Sequence, residues 1–153
     1  MTILNTFEPS TIQILTERID KLHAQSIPQW GKMDVGQMLA HCCVAYDQVF
    51  DPNTKRSSLP VRFMLKLLLK GRLTDATTPY KKNSGTAPAF LITDARDFNV
   101  EKARLLAYLQ QVQQLGATYF HQKESNSLGK LTAEEWNNLF YKHLDHHLTQ
   151  FNV

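Results

Sequence analysis

The sequence predicts an all-α fold, a four-helix bundle with an additional short helix. Apolar residues recur at three- and four-residue spacing in several long segments, which is the periodicity of an amphipathic helix. No segment alternates apolar and polar residues convincingly enough to predict a strand. The 153 residues are close to one domain of about 150 residues, so a single domain over residues 1–153 is expected.

The first two helices are bounded by caps and breakers. Apolar residues at helical spacing predict the first helix over residues 10–23. Asp34 begins the second helix, because Gln37 completes a capping box with it. This helix is expected to end near Asp51, since the residue before Pro52 avoids the helical region.

The remaining helices follow the same logic. Pro60 near the start and Gly71 at the end delimit a short third helix. A fourth is expected over residues 99–117, followed by a polar, loop-like stretch over residues 121–130. The last helix begins after Thr132, which forms a capping box with Glu135, and runs to the end of the chain. The long connection over residues 72–96 is a candidate lid or a packed surface loop.

Composition excludes several classes of function. A net charge of +3 is no argument for nucleic-acid binding, which would favour a clustered basic face, so no nucleic-acid partner is expected. Cys42 and Cys43 are adjacent and form no disulfide framework; together with the absence of a signal-peptide pattern, they predict a cytoplasmic protein. No apolar run is long enough to span a membrane. We expect the basic row Arg62, Lys66 and Lys70 to be a solvated face or a dimer contact, with a membrane-surface helix as the disfavoured alternative.

Three of the six histidines point to a metal site. With Trp136 set at zero on the last helix, His143 and His147 fall near −20° and +20°, in the middle of the apolar stripe. On the second helix His41 lies at the border of the buried face, where its side chain can point along the groove between two helices. Paired histidines four residues apart are a zinc-binding device on helices. The alternative is that these imidazoles simply hydrogen-bond to backbone or water in a polar pocket.

Other polar residues are weaker candidates. His146 and Gln150 lie on one flank of the stripe, where they can orient the metal ligands. His23 and His121 are expected at the surface, and Cys42 as a small buried hydrophobe. Cys43, Asp47 and Asp145 are expected to point off the apolar stripes, which leaves no general base and no assigned catalytic residue. Tyr80, Lys81 and Lys82 are expected to be exposed, where they could meet an anionic substrate.

The segments MDVGQMLAHC and YKHLDHHLTQF resemble the DinB/YfiT-like superfamily of metal-binding helical bundles. The matching positions are His41, the pair His143 and His147, and Gln150. The C-terminal motif looks most like a bacterial subfamily named only as a domain of unknown function. Many relatives carry Arg-Gly between the last His and the Gln, whereas this chain has Leu148-Thr149.

The resemblance implies an up-down-down-up bundle, frequent homodimers, and a three-His site for a divalent metal such as zinc or nickel. The activities of its members suggest that this chain is a metal-dependent hydrolase or a thiol S-transferase. Its substrate would be a small molecule, and a thiol is one candidate. The alternative is a non-catalytic helical-bundle binding protein with a structural or vestigial His site.

Overall fold

The computed structural model describes residues 2–153, and helices dominate them. The five α-helices of this range are α1 (Pro9–Asp20), α2 (Val35–Phe50), α3 (Leu59–Thr74), α4 (Phe98–Phe120) and α5 (Ala133–Gln150). A 3-10 turn (Pro88–Phe90) lies between α3 and α4. The predicted all-α fold with bundle-like packing is confirmed. The stretch expected to be a loop holds a small antiparallel hairpin, β1 (Glu124–Ser125) and β2 (Gly129–Lys130), whose two-residue strands are too short to show any alternation.

Both predicted capping boxes are present. The Asp34 carboxylate accepts from the Gln37 backbone N–H at 2.8 Å, and the Gln37 side chain accepts from the Asp34 N–H at 3.1 Å. Thr132 and Glu135 make the same reciprocal pair at 3.1 and 2.8 Å. These boxes satisfy N–H groups that the first turn of a helix leaves unpaired, and they fix where α2 and α5 begin.

Several helix ends differ from the prediction. α1 ends at Asp20 rather than at His23. α3 continues past Gly71 to Thr74, because the Lys142 ammonium donates to the carbonyl groups of Arg72 and Asp75 at its C-terminus. The Lys142 side chain thus satisfies C-terminal carbonyl groups that the backbone N–H groups of a glycine cap would otherwise satisfy. α4 reaches Phe120, but Gly116, with φ 69°, interrupts its helical geometry one turn before the end.

The core lies where α4 packs against α1, α2 and α5. Its centre is aromatic, since Phe140 stacks on Tyr46 and Trp136 at centroid distances of 4.9 and 5.3 Å and meets Phe120 edge-on at 5.5 Å. Phe140 is 1% exposed. This packing holds α2 against α5 and thereby fixes the distance between the faces that carry the three histidines.

The basic row of α3 was predicted to face solvent or a dimer partner, but two of its three residues face the rest of the chain. Arg62 and Lys70 point toward the rest of the chain and pair with Glu124 and Glu135. The apolar side of the helix consequently faces solvent. Within residues 2–153, none of the helices combines the length and the apolar character needed to cross a membrane.

Candidate metal centre

The structure brings His41, His143 and His147 together between α2 and α5. One ring nitrogen from each lies within 4.8 Å of the other two. The Nε2 atoms of His41 and His143 are 2.9 Å apart, and the ring of His41 lies 4.6 Å from that of His147 between centroids. His41 and His147 therefore line one small space, although they are 106 positions apart in the sequence.

Helix geometry explains the convergence. His143 and His147 are one helical turn apart on α5, so their side chains leave the same face of the helix. His41 leaves α2 on the side that packs against α5. His41 and His147 are 5% and 7% exposed, and His143 is partly exposed.

The backbone of the α3–α4 connection fixes the ring of His41. Its Nδ1 lies 2.8 Å from the carbonyl oxygen of Phe90. A carbonyl can only accept, so Nδ1 carries the proton and Nε2 presents its lone pair to the other two histidines. The Phe90 ring also packs edge-on against His41 and His143. The connection suggested as a lid therefore packs over the cluster and orients one of its members.

Gln150 fixes His147 in the same way. The Gln150 side-chain Nε2 donates to the carbonyl of Trp30 at 2.6 Å, which leaves its Oε1 facing His147 Nδ1 at 2.8 Å. Nδ1 of His147 is then the donor, and its Nε2 carries the free lone pair. A Cβ at Gly31, which has φ +85°, would lie 2.6 Å from Gln150 Nε2, so glycine leaves room for this bond.

Burial keeps all three imidazoles neutral. Loss of hydration lowers the pKa of His41, and its bond to Phe90 opposes this only in part. The pKa of His143 falls well below its usual range through burial and the nearby imidazoles. The same causes lower the pKa of His147 to about 3, although the bond to Gln150 acts in the other direction. Neutral imidazole is the form that ligates metals. Without a metal the His143 Nε2–H donates to the Nε2 of His41, so His143 has to move its proton to Nδ1 before its Nε2 can ligate.

The other flank residue, His146, lies outside the cluster. Its ring contacts His147 edge-on at 5.0 Å and packs between Trp30 and Tyr80 at 5.7 and 6.0 Å. Among the hydrogen bonds of residues 2–153 it makes none to the three clustered histidines. Its role in orienting ligands stays a prediction, whereas Gln150 makes the contact that this role requires.

Several residues with acid–base or thiol chemistry are occupied elsewhere. Cys42 and Cys43 are both fully buried, and burial raises the pKa of Cys43 to about 12. Cys43 was expected to point away from the core, but its Sγ packs against α4 at the Glu101 carbonyl. Asp47 is bound by Arg104 and Tyr108. Asp145, expected to point off the apolar stripe, pairs with Arg18 of α1 at 2.7 Å.

Residues near the cluster also depart from expectation. Tyr80 is partly buried rather than exposed, and its hydroxyl donates to the Leu73 carbonyl at 3.0 Å. Lys81 and Lys82 are both exposed as expected, and Lys82 lies over the Trp30 ring at 4.1 Å. His23 and His121 are exposed, which confirms that prediction.

Sequence reasoning missed the two backbone carbonyls that orient the cluster, those of Phe90 and Trp30. A carbonyl is present at every residue, so nothing in the sequence distinguishes these two. Gly31 is a signal that the sequence does offer, because glycine is common where the backbone approaches another group closely.

Comparison with known proteins places the chain in a family without naming a reaction. No curated protein and no solved structure matches it. One family model, described as a protein of unknown function (DUF1569), matches residues 10–153 and so includes α2, α5 and all three clustered histidines. The chain therefore belongs to the DUF1569 family of proteins of unknown function.

Proposed function

We propose that this protein binds a divalent metal ion through the Nε2 atoms of His41, His143 and His147. The observation that carries the proposal is the pair of outer hydrogen bonds, from His41 to Phe90 and from His147 to Gln150. Each holds a proton on Nδ1 and turns a lone pair inward, and metal-ligating histidines are oriented by this kind of contact. Neutral buried imidazoles suit zinc or nickel.

The donor set favours an open site. In the part of the chain that the structure describes, the cluster consists of three histidines without a fourth His, Cys, Asp or Glu. Three protein ligands with one free position are typical of catalytic zinc, whereas structural zinc has four. A divalent ion held in this way supplies Lewis-acid chemistry, which suits hydrolysis or transfer to a thiol.

A groove beside the cluster supports a small-molecule substrate. It has a volume of about 200 Å³ and is lined by Trp30, Tyr80, Lys82 and His146, among others. His146 lies between this groove and His147, so the groove is adjacent to the cluster, but none of the three histidines lines it. Lys82 makes no ion pair among residues 2–153, and it would favour a substrate that carries an anionic group.

A second reading is a binding protein whose histidines hold a structural ion. The low exposure of His41 and His147 favours it, because a deeply enclosed ion exchanges ligands poorly. The set of three protein ligands and the partly exposed His143 favour the open, enzymatic site instead.

Metal content and affinity test the proposal. The untagged chain is loaded with zinc or nickel, dialysed and analysed by elemental mass spectrometry. We expect one ion per chain, lost when His143 and His147 are both replaced by Ala. The double variant His23→Ala/His121→Ala removes two exposed histidines and should keep the ion. Equal metal content in the two double variants would contradict the assignment.

A further inference from the structure

α3 presents an apolar face to solvent. Five of its large side chains are between 49% and 76% exposed. They fall within a sector of about 180° on one side of the helix. These residues, which we call the α3 apolar face, are Leu59, Phe63, Met64, Leu67 and Leu68. Monomeric proteins rarely expose a contiguous apolar patch of this kind, and such a patch marks an interaction site.

Polar contacts prevent α3 from turning this face inward. Arg62 pairs with Glu124, and Lys70 pairs with Glu135 at 2.8 Å. At the C-terminal end Lys142, itself 0% exposed, holds the carbonyl groups of Arg72 and Asp75. Rotating the helix to bury its leucines would break all of these contacts. The rest of residues 2–153 therefore leaves the apolar face open to a partner.

We propose that the α3 apolar face is covered by a second copy of this chain. If a fully exposed large side chain offers roughly 200 Å², the five residues expose roughly 600 Å² per chain. Two copies meeting here would bury roughly 1,200 Å², the lower end of the range for specific interfaces. Phe and Met are enriched at the cores of such interfaces, and Phe63 and Met64 lie within this patch.

The distribution of charge favours a second copy over a lipid surface. α3 has four basic residues and no acidic one, but two of the four, Arg62 and Lys70, are paired within the chain. Lys66 and Arg72 make no ion pair among residues 2–153. Two free cations are fewer than the clusters of about 4–8 that bind anionic membranes. They suit the polar rim of a protein interface instead.

A two-fold axis across α3 satisfies this arrangement. A closed dimer uses the same patch on both copies, so the axis has to cross the patch. Leu67 lies close to the middle of the helix Leu59–Thr74, and in an antiparallel pair of α3 helices it would lie near its own counterpart. Phe63 and Leu59 of each copy would then extend the contact to either side.

Sedimentation velocity over a hundredfold range of concentration tests the proposal. We expect a dimer that Leu67→Glu converts to a monomer, with association at least tenfold weaker. Val100→Glu changes a residue of similar exposure on α4, 63% against 67%, and should leave the dimer intact. Circular dichroism of each variant separates unfolding from dissociation. A monomer at every concentration, or a dimer that Leu67→Glu does not weaken, would overturn the proposal.

Cross-linking locates the interface independently of stability. In Leu67→Cys, mild oxidation should join two chains, because the native Cys42 and Cys43 are both 0% exposed and do not compete. Val100→Cys should remain uncrosslinked. Flotation of the monomeric wild-type chain with phosphatidylserine vesicles, abolished by Leu67→Glu, would assign the face to lipid and refute the dimer.

Discussion

Replacing Gln150 by Met is expected to weaken metal binding without removing a ligand. The methionine side chain has a similar length but cannot accept the proton of His147 Nδ1, which Gln150 holds at 2.8 Å. It also leaves the Trp30 carbonyl without its donor at 2.6 Å. Loss of a contact that orients a metal ligand costs about 10–100-fold in affinity, or roughly 1.4–2.7 kcal/mol. The unpaired buried groups should lower the free energy of unfolding by about 1–3 kcal/mol as well.

Competition with a chromophoric chelator measures this effect directly. Zinc affinity is determined for the wild-type chain, for Gln150→Met and for Gln110→Met, which alters an exposed glutamine on α4. The control should bind zinc as the wild type does. If folded Gln150→Met bound zinc within twofold of the wild type, Gln150 would not orient His147, and the argument from its hydrogen bond would be refuted.

Three further predictions concern stability without metal. The pKa of His147 is about 3 in the folded chain and 6.5 in the unfolded chain, so the unfolded chain binds more protons below pH 6.5. The free energy of unfolding should therefore be highest above pH 6.5 and should fall by about 2 kcal/mol, from this residue alone, between pH 7 and 5. Urea unfolding at both pH values checks this, and a flat profile, or an equally steep one in His147→Gln, would contradict it. Lys142→Met should cost about 1–3 kcal/mol, because it leaves the carbonyl groups of Arg72 and Asp75 at the end of α3 without their donor; no loss of stability in urea would refute that role. Phe140→Ala should cost about 3–5 kcal/mol by opening the aromatic core, whereas Tyr119→Ala, 41% exposed, should cost far less. Comparable losses in these two variants would show that the stacking around Phe140 does not anchor the core.

Local signals in the sequence predict most of the helices. The capping boxes at Asp34 and Thr132 satisfy the first turns of α2 and α5 from within each segment, so they are readable without tertiary information. The end of α3 is not readable in this way. Lys142 lies 70 positions from the carbonyl of Arg72, and only the packed structure brings them together.

The same distinction applies to the histidine cluster. The spacing of His143 and His147 places them on one face of α5, and the phase of His41 on α2 places it toward the groove. Periodicity therefore identifies which side chains converge. The outer partner of His41 comes from a loop backbone at Phe90, and its position depends on how the α3–α4 connection packs.

The orientation of α3 shows where periodicity gives the wrong answer. An apolar face beside a basic row normally predicts that the apolar side is buried. Here Arg62 and Lys70 find carboxylate partners in the hairpin and in α5, and these contacts turn the basic side inward. A sequence pattern defines the two faces of a helix, but long-range partners decide which of them meets the core.

X-ray absorption spectroscopy of the zinc-loaded chain tests the central claim most directly. The proposed centre predicts a first shell with three imidazole nitrogens at about 2.0–2.1 Å, together with the outer-shell scattering that imidazole rings produce. In His41→Ala the imidazole contribution should fall by one third or the metal should be lost. A shell that contains sulfur at about 2.3 Å, or one unchanged in His41→Ala, would contradict the account.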